Sequence, residues 1–177
     1  KDLLNANPGL QQLMQLYNFS NKFGRGYTDM ADLFLIDWYY SDAIYAPLYY
    51  GYGGPGQYAE RRLIARSFDA EALSLMPDMV LVLMKASPDT IRERVIKGES
   101  PFPGRHADTF FDPKDTETVL EAFEEQFQQS LFRNKFVLDT TNASIEESLE
   151  EFKQQIQVHI TPTDRLRVLT HRALSEG

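Results

Sequence analysis

Cysteine is absent from this chain of 177 residues, which excludes disulfides and cysteine-based zinc sites and is compatible with a reducing compartment such as the cytoplasm or an organellar matrix. Histidine is scarce too, and His106, His159 and His171 lie too far apart in sequence to propose a metal site from them. Long hydrophobic runs are also missing. The longest, Met79 to Met84, is far shorter than the ~20 residues that cross a bilayer, so no membrane span is expected. Positive charge is in the minority: a net charge of −8 argues against a nucleic-acid polymer as partner, because a polyanion calls for a basic surface. A small anionic nucleotide is a different case, since a local group of arginines can hold it. With 42% hydrophobic and 25% charged residues, the chain has the composition of a globular domain with a substantial core. No internal repeat or long low-complexity stretch divides it, and residues 1–177 read as one domain.

Three apolar segments read as buried parallel strands: Leu33-Phe34-Leu35-Ile36-Asp37, Asp78-Met79-Val80-Leu81-Val82-Leu83-Met84 and Lys135-Phe136-Val137-Leu138-Asp139. Each is followed by a polar helix start, which places polar groups at carboxyl strand ends, where open α/β sheets bind ligands. The helix signals are clearest in the second half. Ser87-Pro88 supplies an N-cap and a proline at the first helical position, opening a helix to about Lys97. Asp112-Pro113 opens another, on which Val119, Leu120, Phe123, Phe127 and Leu131 form an apolar stripe. Ser144-Ile145-Glu146-Glu147 reads as a capping box before Ile145, Leu149, Phe152 and Ile156. Thr161-Pro162-Thr163-Asp164 begins a last helix with Leu166, Leu169 and Leu174. These stripes are expected in the core. Leu10, Leu13, Met14 and Tyr17 predict a further amphipathic helix, ending near Gly24-Arg25-Gly26.

From Asp29 to about Gln157 these elements resemble the back two thirds of a P-loop nucleoside or nucleotide kinase, of the deoxynucleoside kinase or thymidylate kinase type. The resemblance rests on three runs: Asp37-Trp38-Tyr39-Tyr40-Ser41-Asp42 after the first strand, Ser87-Pro88-Asp89-Thr90-Ile91-Arg92-Glu93-Arg94 after the second, and Asp139-Thr140-Thr141-Asn142 after the third. It implies a three-layer, doubly wound α/β fold with a mostly parallel sheet and helices on both faces. It also implies ATP and Mg²⁺ as cofactors and a nucleoside or similar small hydroxyl compound as acceptor. No G-x-x-x-x-G-K-[ST] occurs in the chain, although such a loop supplies backbone N–H groups and a lysine to the phosphates. The first strand and its phosphate loop are therefore expected upstream of Lys1. The alternative is a catalytically inactive relative that serves as a scaffold or assembly subunit.

Within the resemblance, Asp37 corresponds to the strand-end acid that acts as base toward the acceptor or arranges Mg²⁺. Trp38 stands where an arginine is expected, and an indole offers no charged bidentate fork for a phosphate. That departure favours an uncharged acceptor or the inactive alternative. Trp38, Tyr39 and Tyr40 fall where acceptor contacts are expected. Residues 98–112, with Pro101-Phe102-Pro103-Gly104, correspond to a lid, and Arg94 and Arg105 are its candidate phosphate contacts, with His106 a weaker one. Arg92 and Arg94 are two apart and face different sides of a helix, so only one is expected to reach the site. Thr141 and Asn142 fall where the backbone passes the adenine; an ordinary β-to-α turn explains the same residues equally well. Asp42 reads as an early-helix acid favoured by the dipole. The glycine-rich segment Tyr49 to Gly56 lacks the lysine and hydroxyl of a phosphate cradle, and its tyrosines either stack on a nucleobase or pack the loop. Residues 161–177 extend beyond the usual kinase core and are expected to dock on the domain or on a second subunit, giving a homo-oligomer or larger assembly.

Overall fold

The computed structural model describes residues 7, 9–10, 13–14, 17, 34–36, 39–97 and 111–175. Over these residues the chain is mixed helix and strand, mostly helical, with a two-stranded parallel sheet. Its contacts divide it into two compact units, residues 1–79 with 88–132 and residues 80–87 with 133–177.

The first unit is helical. Helix α1 (Tyr40–Tyr45) runs into a π-helical turn (Ala46–Tyr50), which stops at Gly51 with φ +72°. After the glycine-rich segment comes α2 (Arg61–Leu75), then α3 (Pro88–Ile96), a 3₁₀ turn (Pro113–Asp115) and α4 (Thr116–Gln129). Helix α1 packs on α2 and α4, and α3 packs on α4. The stripe expected on α4 is partly right: Val119 and Phe127 are buried, but the helix ends at Gln129, and Leu131 lies beyond it and is exposed. Asp112 caps the turn as expected, its carboxylate accepting from the Lys114 N–H at 3.0 Å. Gly9, Leu10, Leu13, Met14 and Tyr17 are helical, as their spacing predicts, but exposed. The Gly24-Arg25-Gly26 stop lies outside the described residues.

The second unit holds β1 (Leu81–Lys85), β2 (Lys135–Asp139), α5 (Ile145–Ile156), a 3₁₀ turn (Gln157–His159) and α6 (Pro162–Ser175). The strands are parallel, with Leu81 opposite Lys135 and Lys85 opposite Asp139. The ladder is extended at both ends: the Leu81 N–H donates to the Asn134 carbonyl at 2.9 Å and the Thr140 N–H to the Lys85 carbonyl at 2.7 Å. The predicted strands at 78–84 and 135–139 are thus found, the former shifted toward its carboxyl end. Helix α5 begins with the predicted capping box. The Glu147 N–H donates to Ser144 Oγ at 3.1 Å, and the Ser144 N–H donates to Glu147 Oε2 at 2.8 Å. Phe152 of α5 meets Phe136 of β2 at 6.0 Å between ring centroids.

Two expectations need correction. Residues 34–36 form no strand, and Phe34 and Ile36 are 76% and 69% exposed. A strand exists only by pairing, and among the described residues the sheet contains β1 and β2 alone. The stripes of α5 and α6 are not core either: Ile145, Leu149, Leu166, Leu169 and Leu174 are all exposed. Helical period identifies a helix and its apolar face without guaranteeing a neighbour to cover that face.

Gly53 shows how tightly the first unit closes. It has φ +72°, its carbonyl accepts from the Arg61 N–H at 2.8 Å, and a Cβ there would lie 2.5 Å from Arg61 Cγ. Gly51 has the same φ but open space around it. Gly53→Ala should therefore cost about 2–4 kcal/mol, backbone strain plus overpacking, and Gly51→Ala about 1 kcal/mol from strain alone. Urea unfolding of the two variants measures the difference; equal losses would show that the Arg61 contact does not matter.

Candidate functional site

At the carboxyl end of β2 the chain turns into α5 over an open depression of about 370 Å³, lined by Asp139, Thr141, Asn142, Ala143 and Glu147. The turn is built by its own polar side chains. Asp139 Oδ1 accepts from the Thr141 N–H at 2.8 Å, an Asx turn. The Thr140 hydroxyl donates to the Lys85 carbonyl at 3.1 Å, and Thr141 Oγ1 accepts from the Ser87 N–H at 2.9 Å. These bonds tie the end of β1 to the end of β2, so the floor of the depression is fixed by the same residues that line it. Both carboxylates are held below their usual range: Asp139 by hydrogen bonds from Thr141 and then by the charge of Lys85, Glu147 by hydrogen bonds from Ser144. With two carboxylates and no cation in the lining, the depression suits a neutral polar group such as a base edge and repels a phosphate. The exposed Asn142 amide offers both a donor and an acceptor there.

The first unit holds a different kind of polar cluster. Asp69 is fully buried on α2, and its Oδ1 accepts from the hydroxyls of both Tyr39 and Tyr40, the latter at 2.6 Å. Its Oδ2 accepts from the Leu131 N–H at 2.8 Å. Burial first, and then the bond to Asp69 and its charge, push the Tyr40 hydroxyl above its ordinary value, so it remains a neutral donor. Two helical turns before Asp69 on α2, Arg61 is 1% exposed, with Nε 2.9 Å from Asp42 Oδ2 and its guanidinium 5.2 Å over the Tyr52 ring. Asp42 is thus half of a buried ion pair, more than the early-helix acid its position predicts.

Of the residues expected at a site, the structure brings Thr141 together with Asn142, and Tyr39 together with Tyr40. The tyrosines are buried at 3% and 8% exposure with their hydroxyls on Asp69, which places them in the packing of α1 and α2. Arg94 lies half-buried in the last turn of α3. Arg92 on the same helix is engaged by Asp89 at 2.9 Å and by Glu117 of α4. Asp37, Trp38, Arg105, His106 and residues 98–110 of the expected lid lie outside the described residues. In the glycine-rich segment Tyr52 is buried, while Tyr49 donates to Asp115 Oδ2 at 3.1 Å; Tyr58, just beyond the segment, is exposed. Among the described residues no three His, Cys, Asp or Glu converge to hold a metal ion, and no helix is long and apolar enough to cross a membrane.

Arg61 and Asp69 carry the buried electrostatics, and hydrophobic patterning does not reveal them. The available signal is their spacing with Ala65 and Ala72, which puts all four on one face of α2. Neither a scan against protein-family models nor searches of the curated proteins and of the solved structures found a match.

Asp69→Ala strands two phenols and a backbone N–H in the core, so a loss of about 3 kcal/mol or more is expected in denaturant unfolding, against about 1 kcal/mol for Tyr40→Phe. The Tyr40 shift also sets a direction with pH. An unfolded tyrosine ionises near ~10 while folded Tyr40 keeps its proton, so this group's stabilisation is constant below that pH and is lost as the pH rises above it. Thermal midpoints measured from about pH 9 to 11 should fall less steeply in Tyr40→Phe than in the native chain; parallel curves would remove Tyr40 from the account.

Proposed function

We propose that this chain is a P-loop kinase-like protein of three-layer, doubly wound architecture that transfers the γ-phosphoryl group of ATP, with Mg²⁺, to a nucleoside or similar small hydroxyl compound. The observation that supports this most is the depression at the carboxyl end of β2, beside a parallel neighbour, with Thr141 and Asn142 in its lining. Open parallel sheets take their ligands at carboxyl ends, and an anionic lining with an exposed amide suits the uncharged edge of an adenine. Asp139 and Glu147 make it a poor phosphate site, and the role proposed for Arg94 and Arg105 is to contact the phosphates. Mg²⁺ fits a site made of nucleotide phosphates and one or two carboxylates, its usual environment, and Asp37 is the carboxylate assigned there. With Mg²⁺ bound, the metal neutralises charge on the transferring phosphoryl group. In the alternative role Asp37, not spent on the metal, accepts the acceptor's proton, and Trp38 supplies an apolar surface for the acceptor. Tyr39 and Tyr40, bonded to Asp69, hold the start of α1 immediately after this pair.

A second reading, an inactive scaffold or assembly subunit with the same fold, is favoured by one observation: Trp38 occupies the position where a kinase of this type carries a phosphate-gripping arginine.

The two readings differ in nucleotide binding. Millimolar Mg²⁺-ATP should raise the thermal midpoint of the full-length protein by several degrees, on the order of 2–3 kcal/mol at a hundredfold excess over Kd. Asn142→Ala, on an exposed turn, should reduce that rise without lowering the midpoint of the free protein. No rise with ATP would leave the scaffold reading. For an active enzyme, Asp37→Asn should lower turnover by about 10²-fold or more with ATP affinity little changed, and near-normal turnover would exclude Asp37 as the base.

A further inference from the structure

Helix α6 has 14 residues and none is buried. A helix of that length is marginal in water by itself, and most helical stability comes from packing an apolar face. Such a face exists: Leu166, Leu169 and Ala173 share one side of α6, with Leu166 and Leu169 64% and 61% exposed. Arg165 and Arg172, seven residues apart, line its edge. The helix carries three arginines against one aspartate in a chain whose net charge is −8, so its neighbours in solution are drawn from acidic surfaces.

One such surface lies in the same unit. Helix α5 also has no buried residue, and Ile145 and Leu149, four apart, form an exposed strip, Ile145 at 84%. Glu146 and Glu150, again four apart, border it. Lys153 stands 3.5 Å from Glu150, an exposed pair of little energetic weight. Each copy of the chain therefore presents an apolar strip edged with arginine and an apolar strip edged with glutamate.

We propose that α6 of one copy docks on α5 of a second copy, while α5 of the first receives α6 of the second, giving an isologous dimer. Two-fold symmetry uses both complementary pairs at once and leaves neither strip uncovered, which a head-to-tail contact does not. Leu166 and Leu169 meet Ile145 and Leu149 at the centre, and Arg165 and Arg172 meet Glu146 and Glu150 at the rim. The apolar centre supplies the affinity; the rim sets register and partner choice. The dimer does not depend on the kinase reading.

Sedimentation equilibrium of the full chain should show a dimer at about 0.1 M salt whose dissociation constant rises as salt screens the rim. Leu166→Ser with Leu169→Ser should weaken it at least about tenfold. The charge-reversed chains are decisive. Arg165→Glu with Arg172→Glu should be monomeric, and so should Glu146→Arg with Glu150→Arg, because each sets like charges across both contacts. An equimolar mixture of the two should form a heterodimer, since both of its contacts are again opposite in sign. A native chain that stays monomeric at about 100 μM would overturn the proposal and leave α6 to a different acidic partner. A dimer that survives either reversal, or reversed chains that fail to pair when mixed, would overturn it too, with circular dichroism confirming that every variant is folded.

Discussion

The buried carboxylate of Asp69 is the constraint on which the first unit turns. An ionised carboxylate with no partner is costly to bury, and Asp69 is tolerated because three donors converge on it, two phenols and a backbone N–H. Those donors come from three places in the sequence: the entry to α1, the start of α1 itself, and the residue that follows α4 and its cap. A single side chain on α2 therefore ties together the beginning of α1 and the residue that follows the α4 cap. The requirement is mutual, since removing any donor leaves the charge less well satisfied and removing the charge leaves three donors unsatisfied. Tolerance for movement is correspondingly small, and Ala65 and Ala72, on the same face of α2 as Asp69, are buried as well.

Arg61 extends the same logic by two turns of helix. The buried face of α2 reads Arg61, Ala65, Asp69, Ala72, two charges alternating with two small residues, while Leu63 and Leu75 point outward at 60% and 48% exposure. Each charge is answered locally, Asp69 by the tyrosines and Arg61 by Asp42 and the Tyr52 ring. The glycine-rich segment closes over this pair. Gly53 is there because Arg61 leaves no room for a Cβ, a packing demand that accounts for the glycine without any phosphate nearby.

What could be read from the sequence, and what could not, follows from which interactions are local. Ser144 and Glu147 satisfy each other within one turn, Pro88 and Pro113 start helices by their own geometry, and a run such as Leu81-Val82-Leu83 is apolar whatever lies beside it. All of these were legible. Helix α2 was not singled out, because its interior face is charged and its largest aliphatic residues are outside, so hydrophobic periodicity points to the wrong side. The family resemblance places Tyr39 and Tyr40 near the acceptor but says nothing of Asp69, which accepts from both hydroxyls from some thirty residues away; no local pattern announces that partner. Thr141 and Asn142 were placed correctly at a strand end, since that assignment needs only the strand and the cap that follows it. The apolar stripes of α5 and α6 were legible as stripes, but whether anything covers them is a tertiary fact.

The two polar clusters differ in a way that decides which is available to a ligand. In the first unit Asp69, Tyr39 and Tyr40 are buried and bonded to one another, and entry of a ligand would require breaking the bonds that hold α1 on α2. At the end of β2 the polar atoms are equally well made but lie at the surface, and their bonds run along the backbone of the turn. Asp139 is engaged by Thr141 and Glu147 by Ser144, so the two carboxylates act mainly to shape the turn and to exclude anions. Asn142, exposed between them, is left as the group with hydrogen-bonding capacity in both directions. A site of that kind recognises a flat, neutral, hydrogen-bonding edge and contributes orientation more than affinity. If the proposed nucleotide is the ligand, its binding strength comes from cations that face its phosphates, because the depression alone favours an uncharged group.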